Sequence, residues 1–136
     1  MGHVNAQIIL KNCDDVKRAK KGELPECEVR QAKVTALVDT GASTLIINQK
    51  LFEELGLDVL KERTVIFAND TKEVCKVTEA LEIHWKDRSV ALSALVVESA
   101  PEVLMGVLPL EGMDLMVDPI KQELAGVHGD QIVYRA

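Results

Sequence analysis

The sequence has almost no aromatic residues: Phe52, Phe67, Trp85 and Tyr134 are the only four. A core built without them rests on Val, Leu, Ile and Ala, and the β-branched members of that set favour strands. Positive charge is also short, with 16 Lys and Arg against 22 Asp and Glu and a net charge of −6. That balance argues against nucleic acid or an anionic membrane as the main partner. The local exception is Lys17-Arg18-Ala19-Lys20-Lys21. With Asp14, Asp15 and Glu23 around it, it reads as a solvated loop, the alternative being a docking patch. Cys13, Cys27 and Cys75 are odd in number and form no C-x-x-C pair, which speaks against a disulfide framework or a zinc site. His3, His84 and His128 match no ligand spacing, so neither metal nor other cofactor is expected. No apolar run reaches transmembrane length, the N-terminus has no signal-like apolar stretch, and Met1-Gly2 lacks the Ser or Thr at position 6 that myristoylation prefers. A reducing, cytoplasmic setting is the expectation.

What is present is a chain of 136 residues, 47% hydrophobic, for which one domain (1–136) with a real core is the default. Val4 to Leu10 reads as a first strand, and Asn12 to Pro25, polar and charged with Gly22, as an inserted loop. From Cys27 the apolar residues stand at odd positions, but by Ala32, Val34, Ala36 and Val38 they stand at even ones. This change of parity predicts a bulge or bend near Arg30-Gln31. Leu45-Ile46-Ile47 is a short apolar run. Asn48 can then cap a helix, Gln49 to Leu55, whose apolar face is Leu51, Phe52 and Leu55, with Gly56 as its stop. Thr64 to Ala68 reads as a strand, Asn69-Asp70-Thr71 as a turn, and Cys75 to Trp85 as one long amphipathic strand with exceptions at Glu79 and Ala80. His84 falls on its polar face and reads as exposed. Lys86-Asp87-Arg88 is a turn, and Ser89 to Val97 the next strand. Val103-Leu104-Met105 runs into Gly106, and Pro109 opens a helical turn that ends near Gly112. Leu115 to Val117 and Gln131 to Tyr134 are the last strand candidates. The fold class is all-β, with one or two short helices.

One stretch joins this pattern to chemistry: Ala36-Leu37-Val38-Asp39-Thr40-Gly41-Ala42-Ser43. A buried-type strand delivers a carboxylate to a tight loop, a costly arrangement unless the acid is paired or used. The plain alternative is that Asp39 only makes an Asx turn at a strand end.

The order of features resembles the retropepsin-like aspartic protease family, in particular its small bacterial members. The likeness runs from Val34-Thr35-Ala36-Leu37-Val38-Asp39-Thr40-Gly41-Ala42 through the helix Lys50 to Leu57. It continues through Ala68-Asn69-Asp70, which is similar to the family's flap tip, and Val103-Leu104-Met105-Gly106, its second apolar-Gly motif. Val117-Asp118-Pro119 resembles the strand and turn that follow. It covers roughly residues 29–125, with the charged insert at about 12–25 outside it. The resemblance implies a closed acid-protease barrel and an aspartic endopeptidase. No second Asp-Thr-Gly occurs, so the second carboxylate is expected from another copy in a two-fold homodimer. It further implies that Asp39 is catalytic, that Thr40 cross-braces the two loops, and that the Gly41 carbonyl contacts substrate. Leu104, Met105 and Gly106 would buttress the loop, and Ala68, Asn69 and Asp70 would close over an extended polypeptide. Asp70 reads first as a turn former, though a carboxylate there would also disfavour acidic residues in the substrate. The tip lacks the glycine-rich run of viral flaps.

Three functions compete at this point: an active homodimeric endopeptidase, a binding or assembly module that keeps the fold without efficient cleavage, and a monomeric barrel with a chance Asp-Thr-Gly. Ala42 carries no hydroxyl, unlike the Ser or Thr of some relatives, which implies a milder optimum pH. Supplying the hydroxyl by Ala42→Ser is expected to move the optimum of the pH–rate profile to more acid values.

Overall fold

The computed structural model describes residues 4–136; Met1, Gly2 and His3, and the sequence readings that fall on them, lie outside the described residues. In chain order the elements are β1 (Val4–Asn12), α1 (Cys13–Lys20), a 3-10 turn (Glu26–Glu28), β2 (Gln31–Val38), β3 (Leu45–Ile47) and α2 (Gln49–Glu54). There follow β4 (Val59–Ile66), β5 (Lys72–Thr78), β6 (Leu81–Trp85), β7 (Arg88–Leu92) and β8 (Ala94–Val96). The chain continues with β9 (Val103–Met105), α3 (Val107–Gly112), β10 (Leu115–Asp118) and β11 (Glu123–Gly126). The mainly-β expectation holds.

Nine strands form one sheet in the order β4-β5-β8-β3-β9-β2-β1-β6-β7, and β10 and β11 form a separate hairpin. The expected closed barrel is not formed: the ladder ends at β4 on one side and β7 on the other. At the β7 end, α3 packs against the strand so closely that a Cβ on Gly112 would overlap the Val90 side chain. Alternation makes β1 the spine of the core. Val4, Ala6, Ile8 and Leu10 are buried while Asn5 and Gln7 are exposed, and the strand pairs with β2 along almost its whole length. Its other edge pairs with β6 only from Ile9 to Asn12.

Several expected elements are rearranged. The long strand from Cys75 to Trp85 is two strands, broken where the alternation failed, at Glu79 and Ala80. β5 pairs with β4 and β8, whereas β6 pairs with β1 and β7. Ser89 to Val97 likewise divides, at Ser93, into β7 and β8. The parity change near Arg30-Gln31 is the boundary between the 3-10 turn and β2 rather than a bulge inside a strand. Gln131 to Tyr134 is not a strand. Beyond an isolated bridge from Gln131 to His128, this segment is held by single bonds, such as Val133 N–H to Asp114 Oδ2 at 3.0 Å. His84 is half-buried rather than exposed, its Nε2 2.7 Å from Glu82 Oε1.

The charged insert contains a helix, not only a loop. Asn12 Oδ1 accepts the N–H of Asp15 at 3.0 Å and caps α1. Asp14 and Asp15 stand in its first turn and Lys17, Arg18 and Lys20 in its last, the arrangement that the helix dipole favours. Asn12 also donates from Nδ2 to Leu55 O at 2.8 Å, tying this cap to the end of α2. Asp15 is buried and takes the Arg30 guanidinium in a two-pronged bond, Nε to Oδ2 at 2.8 Å and Nη2 to Oδ1 at 3.0 Å. Gly56, at φ +60, leaves the room that this guanidinium fills.

The Arg30 hydrogen bond holds the Asp15 carboxyl below its ordinary range. A depressed carboxyl pKa stabilises the fold above its unfolded value, and that stability is lost as pH falls through the folded value. Asp15→Asn should therefore cost about 1–2 kcal/mol at neutral pH. In thermal melts the gap to wild type should close below about pH 4. A gap that stays constant with pH would remove the charge from this account.

Candidate active site

The site begins with β2. Its even residues turn inward, Ala36 fully so, and its odd residues Gln31, Lys33 and Thr35 are exposed. The next residue after the strand is Asp39. β9 lies between β2 and β3 and pairs with both, parallel to β2 (Val38 beside Met105) and antiparallel to β3 (Leu45 beside Met105). The loop from Asp39 to Thr44 must therefore cross the end of β9 to reach β3. It does so on backbone hydrogen bonds: Asp39 N–H to Met105 O, Gly106 N–H to Thr44 O and Val107 N–H to Ala42 O at 3.0 Å, and Leu108 N–H to Ser43 O at 2.9 Å. Gly106 sits where the two loops touch. A Cβ there would overlap the Ala42 carbonyl and stand 2.7 Å from Thr44 O.

Within the loop, Ala42 N–H donates to Asp39 O at 3.0 Å and Gly41 N–H to Asp39 Oδ1 at 2.9 Å. The Asx turn of the plain reading is thus present, and it fixes one carboxylate oxygen. Oδ2 has no hydrogen-bond partner among the described residues, and no cation lies within ion-pair distance of the group. Thr40 and Gly41 are exposed, and Asp39 and Ala42 half-buried. Gly41 has no left-handed backbone to relieve; a Cβ would stand 3.1 Å from Asp39 Oδ1. Such a carboxylate can take a proton or hand one on. Alone it cannot be base toward water and acid toward a carbonyl oxygen at once.

The sequence-predicted residues fall into two groups. Asp39, Thr40, Gly41 and Ala42 are brought together with Met105 and Gly106, and Leu104 stands beside Leu37 in the ladder. Ala68, Asn69 and Asp70 form the exposed tip of the β4–β5 hairpin, and its hydrogen bonds stay within the hairpin. Phe67 N–H donates to Thr71 O at 2.9 Å, and Asp70, at φ +64, takes the left-handed position that glycine usually fills. Asn69 Oδ1 accepts both the N–H of Thr71, at 3.2 Å, and its hydroxyl, at 2.6 Å. Beside the tip is a cavity of about 470 Å³, lined in part by Phe67, Ala68, Asn69, Glu73 and Val97.

Sequence reasoning missed Ser43 and Thr44, whose carbonyls carry half of the loop contacts with the β9 end; a backbone role leaves no side-chain signature. It also missed Glu73 and Val97 on the cavity wall. The period-2 pattern of β5, which puts Glu73 on the face of buried Cys75, was the available signal. Arg88, read as a turn residue, is buried and donates to the carbonyls of Met113 (3.0 Å), Asp114 (2.8 Å) and Gly129.

A family model described as "gag-polyprotein putative aspartyl protease" matches residues 26–115. Among solved structures, the chain is similar to the retroviral protease-like domain of Ddi1 from Leishmania major, at 16% identity and a TM-score of 0.59, over 97% of this chain and 91% of that one. It is also similar to a retropepsin-like aspartic protease from Rickettsia conorii, at 18% identity and a TM-score of 0.53, over 86% and 77% of the two chains. At these identities the likeness is one of fold. No curated protein matches the chain in sequence.

The contact at Gly106 gives a direct test of the loop clamp. Gly106→Ala must push the Ala42–Thr44 backbone away, and should cost about 1–3 kcal/mol of stability in chemical denaturation. A variant as stable as wild type would show that the loop yields freely.

Proposed function

Because the chain belongs to the gag-polyprotein aspartyl protease family, we propose that it is an aspartic endopeptidase acting on a polypeptide held in extended form. The whole chain, 1–136, is taken as one such domain. Peptide hydrolysis by this chemistry needs a base to activate water and an acid to protonate the carbonyl oxygen. Two carboxylates sharing a proton supply both, because two like charges at contact distance cannot both ionise. One chain offers one Asp39 loop, so the active unit is two chains with Asp39 of each copy facing the other across a two-fold axis.

The observation that carries this reading is the Asp39 loop itself. One carboxylate oxygen is anchored by the Gly41 N–H, the other is open, and the backbone beneath is clamped to Met105 and Gly106. Rigid placement of this kind suits a group that must meet a second carboxylate closely. Exposed Thr40 is available to brace the neighbouring loop. The tail supports pairing, since Ile132, Val133 and Tyr134 are exposed, and so does the edge of β1 from Val4 to Ile8, which β6 leaves uncovered. In this reading Ala68, Asn69 and Asp70 lie over the substrate and exclude water.

One observation favours the alternative, a binding or assembly module with slow turnover. The hairpin tip is fastened by the bonds of Asn69 to Thr71 and has Asp70 where glycine would let it flex. No helix among the described residues is long and apolar enough to cross a membrane, and Cys13, Cys27 and Cys75 are free thiols. A reducing, cytoplasmic setting and the absence of nucleic-acid and membrane partners belong to the same proposal.

Cleavage of a peptide library by wild type and Asp39→Asn, with sedimentation of both, tests it. The substitution should lower the rate by about 10²–10⁴-fold and leave the dimer intact. Equal rates would reject the catalytic assignment. A wild type that cleaves while strictly monomeric would reject the shared site.

A further inference from the structure

The cavity beside the hairpin tip has a chemistry of its own. Phe67, Ala68 and Val97 make its walls apolar, and its volume of about 470 Å³ lies within the usual range of ligand pockets. Glu73 and Ser99, the latter from the β8–β9 connection, are among its lining residues. Alternation along β5 puts Glu73 on the face of buried Cys75, and Phe67, Asn69 and Thr71 of the turn line the same cavity as Glu73.

Charge around this face is one-sided. Glu73 and Glu98 both line the neighbouring, smaller cavity of about 210 Å³ together with Cys75. Burial first, and then these two carboxylates, push the Cys75 thiol above its ordinary value, which places both acids close to it. Neither Glu73, Glu98 nor tip residue Asp70 has an ion-pair partner among the described residues. The nearby cations do not fill that role. Lys72 alternates to the opposite face of β5. Arg63, opposite Cys75, turns its guanidinium to the Glu62 carbonyl of its own strand at 2.9 Å. Lys76, on the wall of the smaller cavity, is bonded to Gln49 Oε1 at 3.0 Å and lies over the Phe52 ring.

An apolar-walled cavity lined by the unneutralised Glu73 carboxylate, with Glu98 in the adjoining cavity, is complementary to a side chain that is apolar along its stem and positive at its tip. We propose that this cavity receives a lysine or arginine side chain of the bound polypeptide, its methylenes against Phe67, Ala68 and Val97 and its charge at Glu73. The inference rests on the polypeptide-cleaving reading above and adds a preference to it: cationic side chains are favoured at this subsite and acidic ones rejected. Glu73 is then a specificity-determining residue.

The test uses the full-length Asp39→Asn protein and three labelled extended peptides, identical but for one central residue: lysine, norleucine or glutamate. Binding is read by fluorescence anisotropy at low salt. Lysine should bind about two- to fivefold more tightly than norleucine, the range of an exposed ion pair. Glutamate should bind about tenfold more weakly than lysine. Glu73→Gln should bring lysine and norleucine together, and Glu73→Lys should reverse the order of lysine and glutamate. Glu73 is exposed, so neither variant disturbs the core. Equal binding of lysine and glutamate by the Asp39→Asn protein, an unchanged lysine-to-norleucine ratio in Glu73→Gln, or no binding of any peptide overturns the proposal. Cleavage of the same peptides by the wild type separates the two readings. A lysine preference without cleavage overturns only the catalytic reading, and cleavage without a preference overturns only this one.

Discussion

The structure depends on one crossing. β9 is inserted between two strands that are neighbours in sequence, so the loop joining those strands has to pass over the β9 end. The loop and the turn after β9 meet backbone to backbone through four hydrogen bonds, with a glycine where a side chain would not fit. Asp39 occupies the first residue of that crossing. Its position follows from the topology of the sheet more than from any contact its side chain makes, which leaves one carboxylate oxygen uncommitted.

Away from the crossing the fold is fastened by polar side chains, among them buried Asn12, Asp15, Arg88 and Asp114. Asp15 and Arg30 join the helix after β1 to the end of α2 through Asn12 and the space at Gly56. At the other end, Arg88 gathers three carbonyls, and Asp114 takes both His128 Nδ1 at 2.7 Å and the Val133 N–H. The His128 hydrogen bond, foremost, holds the Asp114 carboxyl below its usual range. With so few aromatic residues to lock elements together by bulk, these hydrogen-bonded pins give a core of Leu, Ile and Met its fixed geometry.

The parts of this arrangement that were legible in the sequence are those in which a side chain signals its own task. Asn48 capping α2, Gly56 ending it, and the run from Val34 into Asp39 are of this kind. So is Gly106, which the family resemblance singled out and for which the structure supplies the steric reason. What was not legible depended on pairing at a distance. The alternation from Cys75 to Trp85 was real on both sides of Glu79 and Ala80, but a period of two does not say that the halves join different neighbours. A closed barrel could not be distinguished from an open ladder, since β4 and β7 differ in partners rather than in pattern. α1 was hidden because its charged surface looked like a loop; Asn12 followed by Asp14 and Asp15 was the overlooked start signal. Gln131 to Tyr134 has the composition of a strand, yet its backbone bonds go to Asp114 and the turn before it.

The insertion of β9 also sets an order of events. β2 and Asp39 belong to the first third of the chain, whereas their support, Val103 to Gly106, belongs to the last. During synthesis, Asp39 emerges long before the strand that holds its loop in place. A chain ending before Val103 lacks Met105, Gly106, Val107 and Leu108, and with them all four backbone bonds that clamp the Asp39 loop. Closing so long a loop late in folding is slow relative to local pairing. The clamp on the Asp39 loop is therefore complete only once Val103 to Met105 have paired with both β2 and β3.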